Sequence, residues 1–138
     1  QLTLVGWGST YQVLRETMEA LTKDGITVNI FAPTHLWPFK AEAARALLSR
    51  CAMTLAVEAN YTGQLARFLR METGVAIQHH LHKYDGEPFE PGQVIAHARK
   101  LLKERPKQPT VASVVSDEGL PPDFSPIAEP GSEAIRVH

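Results

Sequence analysis

The chain has 138 residues, of which 14 are Lys or Arg and 15 are Asp or Glu, so its formal net charge is -1. This balance argues against nucleic acid or an anionic membrane as a partner, because both attract a clustered excess of basic residues. Hydrophobic residues make up 43% of the sequence, enough for one globular core, and no apolar run approaches the roughly 20 residues that span a bilayer. The one cysteine, Cys51, excludes an internal disulfide and is compatible with a reducing compartment such as the cytoplasm.

Apolar runs and helical periodicity alternate along the first 104 residues. In chain order the pattern first predicts a strand at Leu2–Val5, a helix capped by Ser9 or Thr10 and stopped at Asp24, a strand at Ile26–Phe31 and a helix at Lys40–Arg50. It then predicts a strand at Ala52–Glu58, a helix at Tyr61–Thr73, a strand at Val75–Leu81 and a helix at Glu90–Glu104. The helical stripes place Leu47 and Tyr61 on inward faces. This alternation predicts an α/β fold, a mainly parallel sheet covered by helices on both faces in three layers, without predicting the strand order.

The last quarter of the chain has a different composition. Six of the ten prolines follow Glu104. We therefore divide the chain into a folded domain, 1–104, and a proline-rich, largely irregular C-terminal extension, 105–138, with one candidate strand at Thr110–Val115. The chain opens on an apolar strand without a methionine, so we expect the folded domain to be a piece of a longer protein.

Three loops follow predicted strands, at the sheet edge where α/β folds collect ligands. They span residues 6–10, 33–39 and 58–64 and supply our candidate ligand-binding or interface residues: Gly8, Ser9, Thr10, Trp37, Asn60, Tyr61, Thr62 and Gly63. The first loop has the Gly-x-Gly of a dinucleotide fingerprint. However, Tyr11 stands where the third glycine belongs, and Phe31–Pro33 offers no acid for a ribose, which favours a tight turn before a capped helix.

The other two loops each leave alternatives open. Trp37, Pro38 and Phe39 either tuck under the sheet or face another protein surface. Asn60 or Thr62 is predicted to cap the next helix, which is the simpler interpretation. If the loop instead binds a ligand, the free N–H groups of that helix start favour phosphate or carboxylate.

Two further features suggest chemistry only weakly. His80 and His82 share one face of a strand and could chelate a metal, but no acid or thiol lies nearby in sequence to complete a site, which favours polar residues on an edge strand. Cys51 joins a helix to an apolar strand and is predicted to be a small core residue rather than a nucleophile. Without a serine elbow or a catalytic pair, the chain alone does not look like a complete enzyme.

Taken together and in order, the loop motifs resemble one known family. The motifs are Gly6-Trp7-Gly8-Ser9-Thr10, Leu36-Trp37-Pro38-Phe39, Val57-Glu58-Ala59-Asn60-Tyr61-Thr62-Gly63-Gln64-Leu65-Ala66 and Lys83-Tyr84-Asp85-Gly86-Glu87-Pro88-Phe89. They are similar to the C-terminal domain of the alpha subunit of 2-oxoacid:ferredoxin oxidoreductases, the 2-oxoglutarate enzymes above all. The resemblance covers about residues 2–104.

The resemblance implies a domain like the C-terminal domain of transketolase within an enzyme that converts a 2-oxoacid and coenzyme A to acyl-CoA and carbon dioxide while reducing ferredoxin. It implies a holoenzyme using thiamine diphosphate, Mg²⁺ and a [4Fe-4S] cluster, none of them bound by this domain and no metal held by it. The implied partners are the preceding domains of the same alpha subunit and a beta subunit, in a dimer of heterodimers. Ala59 departs from the family, where a glutamine is expected, and the extension has no family counterpart.

Two functions follow as expectations. The first is a structural and assembly domain of this oxidoreductase, with no catalytic residue of its own. The alternative is a stand-alone module that binds a phosphate-bearing ligand such as coenzyme A at the helix starts near Ser9–Thr10 and Thr62–Gly63.

Overall fold

Strands and helices alternate strictly in the computed structural model, which describes residues 1–104. The elements are β1 (Leu2–Val5), α1 (Thr10–Lys23), β2 (Val28–Phe31), α2 (Ala41–Leu48), β3 (Thr54–Glu58), α3 (Gln64–Thr73), β4 (His79–His82) and α4 (Pro91–Glu104). The predicted extension at 105–138, with its strand at Thr110–Val115, lies outside the described residues. Within 1–104, none of the helices is both long and apolar enough to cross a membrane.

The four strands form one sheet in the order β2-β1-β3-β4, and every neighbouring pair is parallel. In the register, Leu4 of β1 lies between Ile30 of β2 and Leu55 of β3. The central strands β1 and β3 are buried along their whole length, because helices cover both faces of the sheet.

Alternate side chains of each strand feed two separate cores. One core joins the sheet to α1 and α4 through Leu2, Leu4, Leu14, Leu21, Leu55, Val57, Val94 and Ala98. The other joins the opposite face to α2 and α3 through Val5, Leu48, Ala56, Leu65, Ala66, Leu69 and Ile77. The predicted three-layer α/β/α fold with a parallel sheet is confirmed.

Several predicted boundaries are wrong by a few residues. β4 begins at His79 rather than Val75, because Gln78 joins the start of β3 through its side chain: its amide oxygen accepts from Thr54 N (3.0 Å) and its N–H donates to Thr54 Oγ1 (2.9 Å). Helix α2 ends at Leu48, two residues before the prediction. Its buried positions are Ala44 and Leu48, one turn apart, which leaves Leu47 outside with 59% of its surface exposed.

Candidate functional site at the ends of β1 and β3

The strand order creates a crevice at the carboxyl edge of the sheet. β1 and β3 are neighbours, yet α1 leaves β1 on one face and α3 leaves β3 on the other, which is the switch point where open α/β sheets place their ligands. A cavity of about 350 Å³ lies there. Its lining residues are Trp7, Gly8, Ser9, Thr10, Val57, Glu58, Ala59, Asn60 and Gln64.

The turn from β1 to α1 is held by Thr10. Its hydroxyl donates to the Trp7 carbonyl (2.7 Å) and accepts from Trp7 N–H (3.2 Å). Gly6 fits beneath because a Cβ there would lie 2.9 Å from both Thr10 Oγ1 and Leu14 Cδ1. Ser9 occupies the N-cap position, as predicted, but its side chain makes no capping hydrogen bond. Ser9 already has helical angles (φ -64°, ψ -19°), whereas a capping residue is extended.

The turn from β3 to α3 is organised by the buried carboxylate of Glu58, which is 2% exposed. Oε2 accepts from Leu65 N (2.7 Å) and from Asn60 Nδ2 (3.0 Å), and Oε1 accepts from Ala66 N (3.0 Å). A negative charge at this position is stabilised by the partial positive charge at the start of α3.

Asn60 completes the same cap from the loop side. Its Oδ1 accepts from Gly63 N (2.7 Å) and Gln64 N (3.2 Å), so Asn60 supplies a side-chain acceptor, although Gly63 rather than Asn60 or Thr62 occupies the N-cap position. Together Asn60 and Glu58 satisfy four consecutive N–H groups, from Gly63 to Ala66. The helix start therefore contains its own anion, and these donors are not free for a phosphate.

Sequence analysis missed this role of Glu58. The available signal was an acid at the last position of an apolar strand, followed two residues later by Asn60. The seven-residue separation from Leu65 does not match a capping box, in which the reciprocal acid is three residues from the cap.

The predicted site residues do not all converge. Gly8, Ser9, Thr10 and Asn60 line the crevice. Thr62 and Gly63 line a separate cleft beside β4, and Trp37 lies on the loop after β2. The expected inward position of Tyr61 is wrong: Tyr61 precedes α3 and is 70% exposed.

In the loop after β2, one aromatic residue packs against the domain and another faces outward, so each predicted alternative holds for one of them. Phe39 packs edge-on against Phe68 of α3, with ring centroids 4.9 Å apart. Trp37, two residues earlier, is 83% exposed. The loop is therefore anchored in the core by one aromatic residue and offers the other to its surroundings.

The loop after β4 is folded around Lys83. Its Nζ donates to the carbonyls of Glu87 (3.3 Å) and Pro88 (3.0 Å) and pairs with Asp85 (3.2 Å). The hydrogen bond from Glu87 N–H, aided by Lys83, holds the pKa of the exposed Asp85 carboxyl below its usual value. This fold presents Tyr84 to Tyr61, and the two rings meet edge to face at 4.9 Å.

The metal and thiol candidates remain minor features. The rings of His80 and His82 lie 5.6 Å apart, but within residues 1–104 no group of three or more His, Cys, Asp or Glu side chains is arranged to hold a metal ion. Cys51 is partly exposed rather than in the core. Its Sγ accepts from Thr3 Oγ1 (3.3 Å) and lies 3.4 Å from the Leu47 carbonyl, to which it donates.

Comparison with known proteins connects this fold to one enzyme family, although no protein-family model matches the chain. The alpha subunit of 2-oxoacid:ferredoxin oxidoreductase 1 from Aeropyrum pernix is 33% identical over 90 residues, 64% of this chain and 14% of that protein. The alpha subunit from Saccharolobus solfataricus is 29% identical over 89 residues, with the same coverage of both chains. The chain resembles the C-terminal region of these alpha subunits.

Solved structures agree. A 2-oxoglutarate:ferredoxin oxidoreductase from Magnetococcus marinus, solved with 2-oxoglutarate, coenzyme A and succinyl-CoA bound, matches with a TM-score of 0.68 and 31% identity over 72% of this chain and 17% of its own. The alpha chain of a probable 2-oxoacid ferredoxin oxidoreductase from Thermoplasma acidophilum matches with a TM-score of 0.52 and 29% identity, over 75% of this chain and 89% of its own. The resemblance predicted from the loop motifs is confirmed, and the chain spans about one seventh of the length of the curated Aeropyrum and Saccharolobus relatives.

Proposed function

We propose that the chain is the C-terminal structural and assembly domain of the alpha subunit of a thiamine-diphosphate-dependent 2-oxoacid:ferredoxin oxidoreductase. The holoenzyme converts a 2-oxoacid, 2-oxoglutarate being the first candidate, and coenzyme A to acyl-CoA and carbon dioxide, with ferredoxin as electron acceptor. The observation that carries this proposal is the likeness to alpha subunits in both sequence and fold. We place the holoenzyme in the cytoplasm.

The metal-binding side chains present support a role in which this chain does not itself hold the redox centres. A [4Fe-4S] cluster takes four cysteine thiolates, and this chain has one cysteine. In the crevice, the Glu58 carboxylate is fully engaged by three N–H donors and offers little to a metal ion. The residues present therefore do not fit the cluster or the Mg²⁺ of the cofactor. We assign these groups to the preceding domains of the alpha subunit and to the beta subunit, in a dimer of heterodimers.

Exposed aromatic residues on the carboxyl-edge loops support the assembly role. Trp37, Tyr61 and Tyr84 are 83%, 70% and 67% exposed and lie on three different loops. Large aromatic residues are enriched where proteins meet, and burying one Trp side chain removes a large apolar area from water. We assign this aromatic edge to contact with the rest of the oxidoreductase.

The alternative function is a stand-alone phosphate-binding module that uses its helix starts, and the cap at α3 disfavours it at that helix start. Glu58 and Asn60 already accept from the N–H groups that such a ligand needs. A phosphate at the start of α3 would also lie close to the negative charge of Glu58, and like charges repel.

Reconstitution tests the proposal. The chain alone is expected to give no 2-oxoacid-dependent viologen reduction, and co-expression with the preceding alpha-subunit domains and the beta subunit is expected to give an active complex. Trp37→Ser should weaken co-elution of the complex, while Met71→Ser, which removes a residue 73% exposed on α3, serves as the matched control. Turnover by the isolated chain, or failure of the wild-type chain to co-elute, would overturn the proposed role.

A further inference from the structure

A second cleft opens on the free side of β4, separate from the crevice. It measures about 280 Å³, and its lining residues are Thr62, Gly63, Ala66, Arg67, Arg70, Ala76, Ile77, His80 and His82. Helix α3 forms one wall and the edge strand β4 the other. The loop residues before α3 and before β4 complete the lining.

The charge of this cleft is positive on its α3 wall. Arg67 and Arg70 are three residues apart, so their side chains lie next to each other on the helix surface. Neither takes part in any of the ion pairs formed within residues 1–104, and none of the nine lining residues is acidic. Two neighbouring guanidinium groups that form no ion pair with the other residues of 1–104 attract anions and repel metal cations.

The opposite wall carries two imidazoles. His80 is exposed, and the His82 ring lies 5.6 Å from it, centroid to centroid. His82 Nε2 is buried beneath Gly63 and has no hydrogen-bond partner among the described residues. A Cβ at position 63 would lie 2.9 Å from this nitrogen, so the close approach of the α3 start to His82 requires glycine there.

One carboxylate lies near the floor. Glu58 Oε1 is 3.7 Å from the point where a Cβ of residue 63 would stand. Its charge is already balanced by hydrogen bonds from Leu65 N, Ala66 N and Asn60 Nδ2. Arg67 and Arg70 are exposed on the α3 wall, while the acid lies buried behind Gly63.

We propose that this cleft binds a phosphate-bearing anion, with Arg67 and Arg70 as its main ligands and the imidazoles of His80 and His82 as further hydrogen-bonding groups. Paired guanidinium groups match the oxygen geometry of phosphate, and charge-assisted hydrogen bonds are stronger than neutral ones. The site uses side chains instead of the capped helix start, and it does not depend on the assembly role proposed above.

Calorimetric titration of the 138-residue chain with inorganic pyrophosphate at low ionic strength tests the site. Arg67→Gln and Arg70→Gln are each expected to weaken binding by about tenfold, because each removes a charged hydrogen-bonding group. Arg15→Gln is the matched control: it removes the same charge from α1, on the opposite face of the sheet, and binding should stay within about twofold. Circular dichroism of each variant checks that the fold is retained.

Three results would overturn the proposal. They are an absence of heat at millimolar pyrophosphate, equal weakening by Arg15→Gln and the cleft variants, and citrate binding as tightly as pyrophosphate. The absence of heat would mean that the cleft binds no pyrophosphate. Equal weakening by the control would mean that binding depends on the net charge of the chain alone, and tight citrate binding would mean that the cleft does not prefer phosphate. Selective loss in the two cleft variants with weak citrate binding supports it.

Discussion

The sharpest prediction concerns Glu58→Gln, which changes one atom of a buried side chain and removes its charge. The carboxylate accepts hydrogen bonds from Leu65 N, Ala66 N and Asn60 Nδ2. A glutamine keeps one acceptor oxygen. Placed at Oε2, this oxygen preserves the first and third bonds, but the NH₂ group then faces Ala66 N, donor against donor.

Two lost interactions determine the expected change in the free energy of unfolding. A buried N–H left without an acceptor costs about 1–3 kcal/mol, and loss of a carboxylate at a helix start costs up to about 1–2 kcal/mol. We therefore expect Glu58→Gln to lower the free energy of unfolding by about 2–5 kcal/mol, a large part of the roughly 5–15 kcal/mol that stabilises a typical domain.

Urea unfolding of the full chain, followed by circular dichroism, measures this effect. The control is Glu42→Gln, which removes an exposed carboxylate from the first turn of α2 and should cost less than about 1 kcal/mol. If Glu58→Gln costs no more than Glu42→Gln, the buried carboxylate does not hold the start of α3, and the inference that an internal anion fills that helix start is wrong.

Two further predictions use the same unfolding assay. Gly63→Ala should lower the free energy of unfolding by about 2–3 kcal/mol, because it combines a left-handed backbone (φ +65°) with a methyl group 2.9 Å from His82 Nε2. The control, Gly74→Ala, has φ +74° and open space around it and should lower the free energy of unfolding by about 1 kcal/mol. Equal losses would contradict the close approach of Gly63 to His82. Burial, with the Lys100 charge acting in the same direction, lowers the pKa of His97 below its ordinary value of 6.5. As the pH falls through about 6.5, His97 is therefore protonated in the unfolded chain before it is protonated in the folded chain, and the free energy of unfolding decreases. The His97→Gln variant lacks this group, so it should lose less stability between about pH 7.5 and 5.5 than the wild-type chain. Parallel pH profiles for the two proteins would contradict this.

The fold was predictable because its elements have different periodicities. Leu2–Val5 is a short apolar run before a glycine turn, which favours a buried strand, and the stripe through Leu14 and Leu21 repeats at helical spacing. Strand order was not predictable, since loops of similar length allow several arrangements. The start of β4 was missed because the hydrogen bonds between Gln78 and Thr54 depend on two segments meeting in space.

The candidate site was predictable in outline only. The rule that ligands gather at the carboxyl edge of a parallel sheet correctly brought Gly8, Thr10 and Asn60 together. It did not separate them from Thr62, which precedes a left-handed turn at Gly63 and lines the cleft beside β4. Such a turn is set by one backbone angle, which hydrophobic patterning does not encode.

The buried Glu58 also changes how the whole carboxyl edge is interpreted. A helix start at a switch point is where α/β proteins commonly hold phosphate, and in this chain a side chain of its own supplies the negative charge instead. Because this acceptor belongs to the chain itself, the N–H groups at the start of α3 are satisfied without any ligand. A loop held in this way suits the assembly role proposed for the exposed Tyr61, since ordered loops lose less entropy on binding. A phosphate-bearing anion beside α3 would then be held by side chains, as proposed above for Arg67 and Arg70.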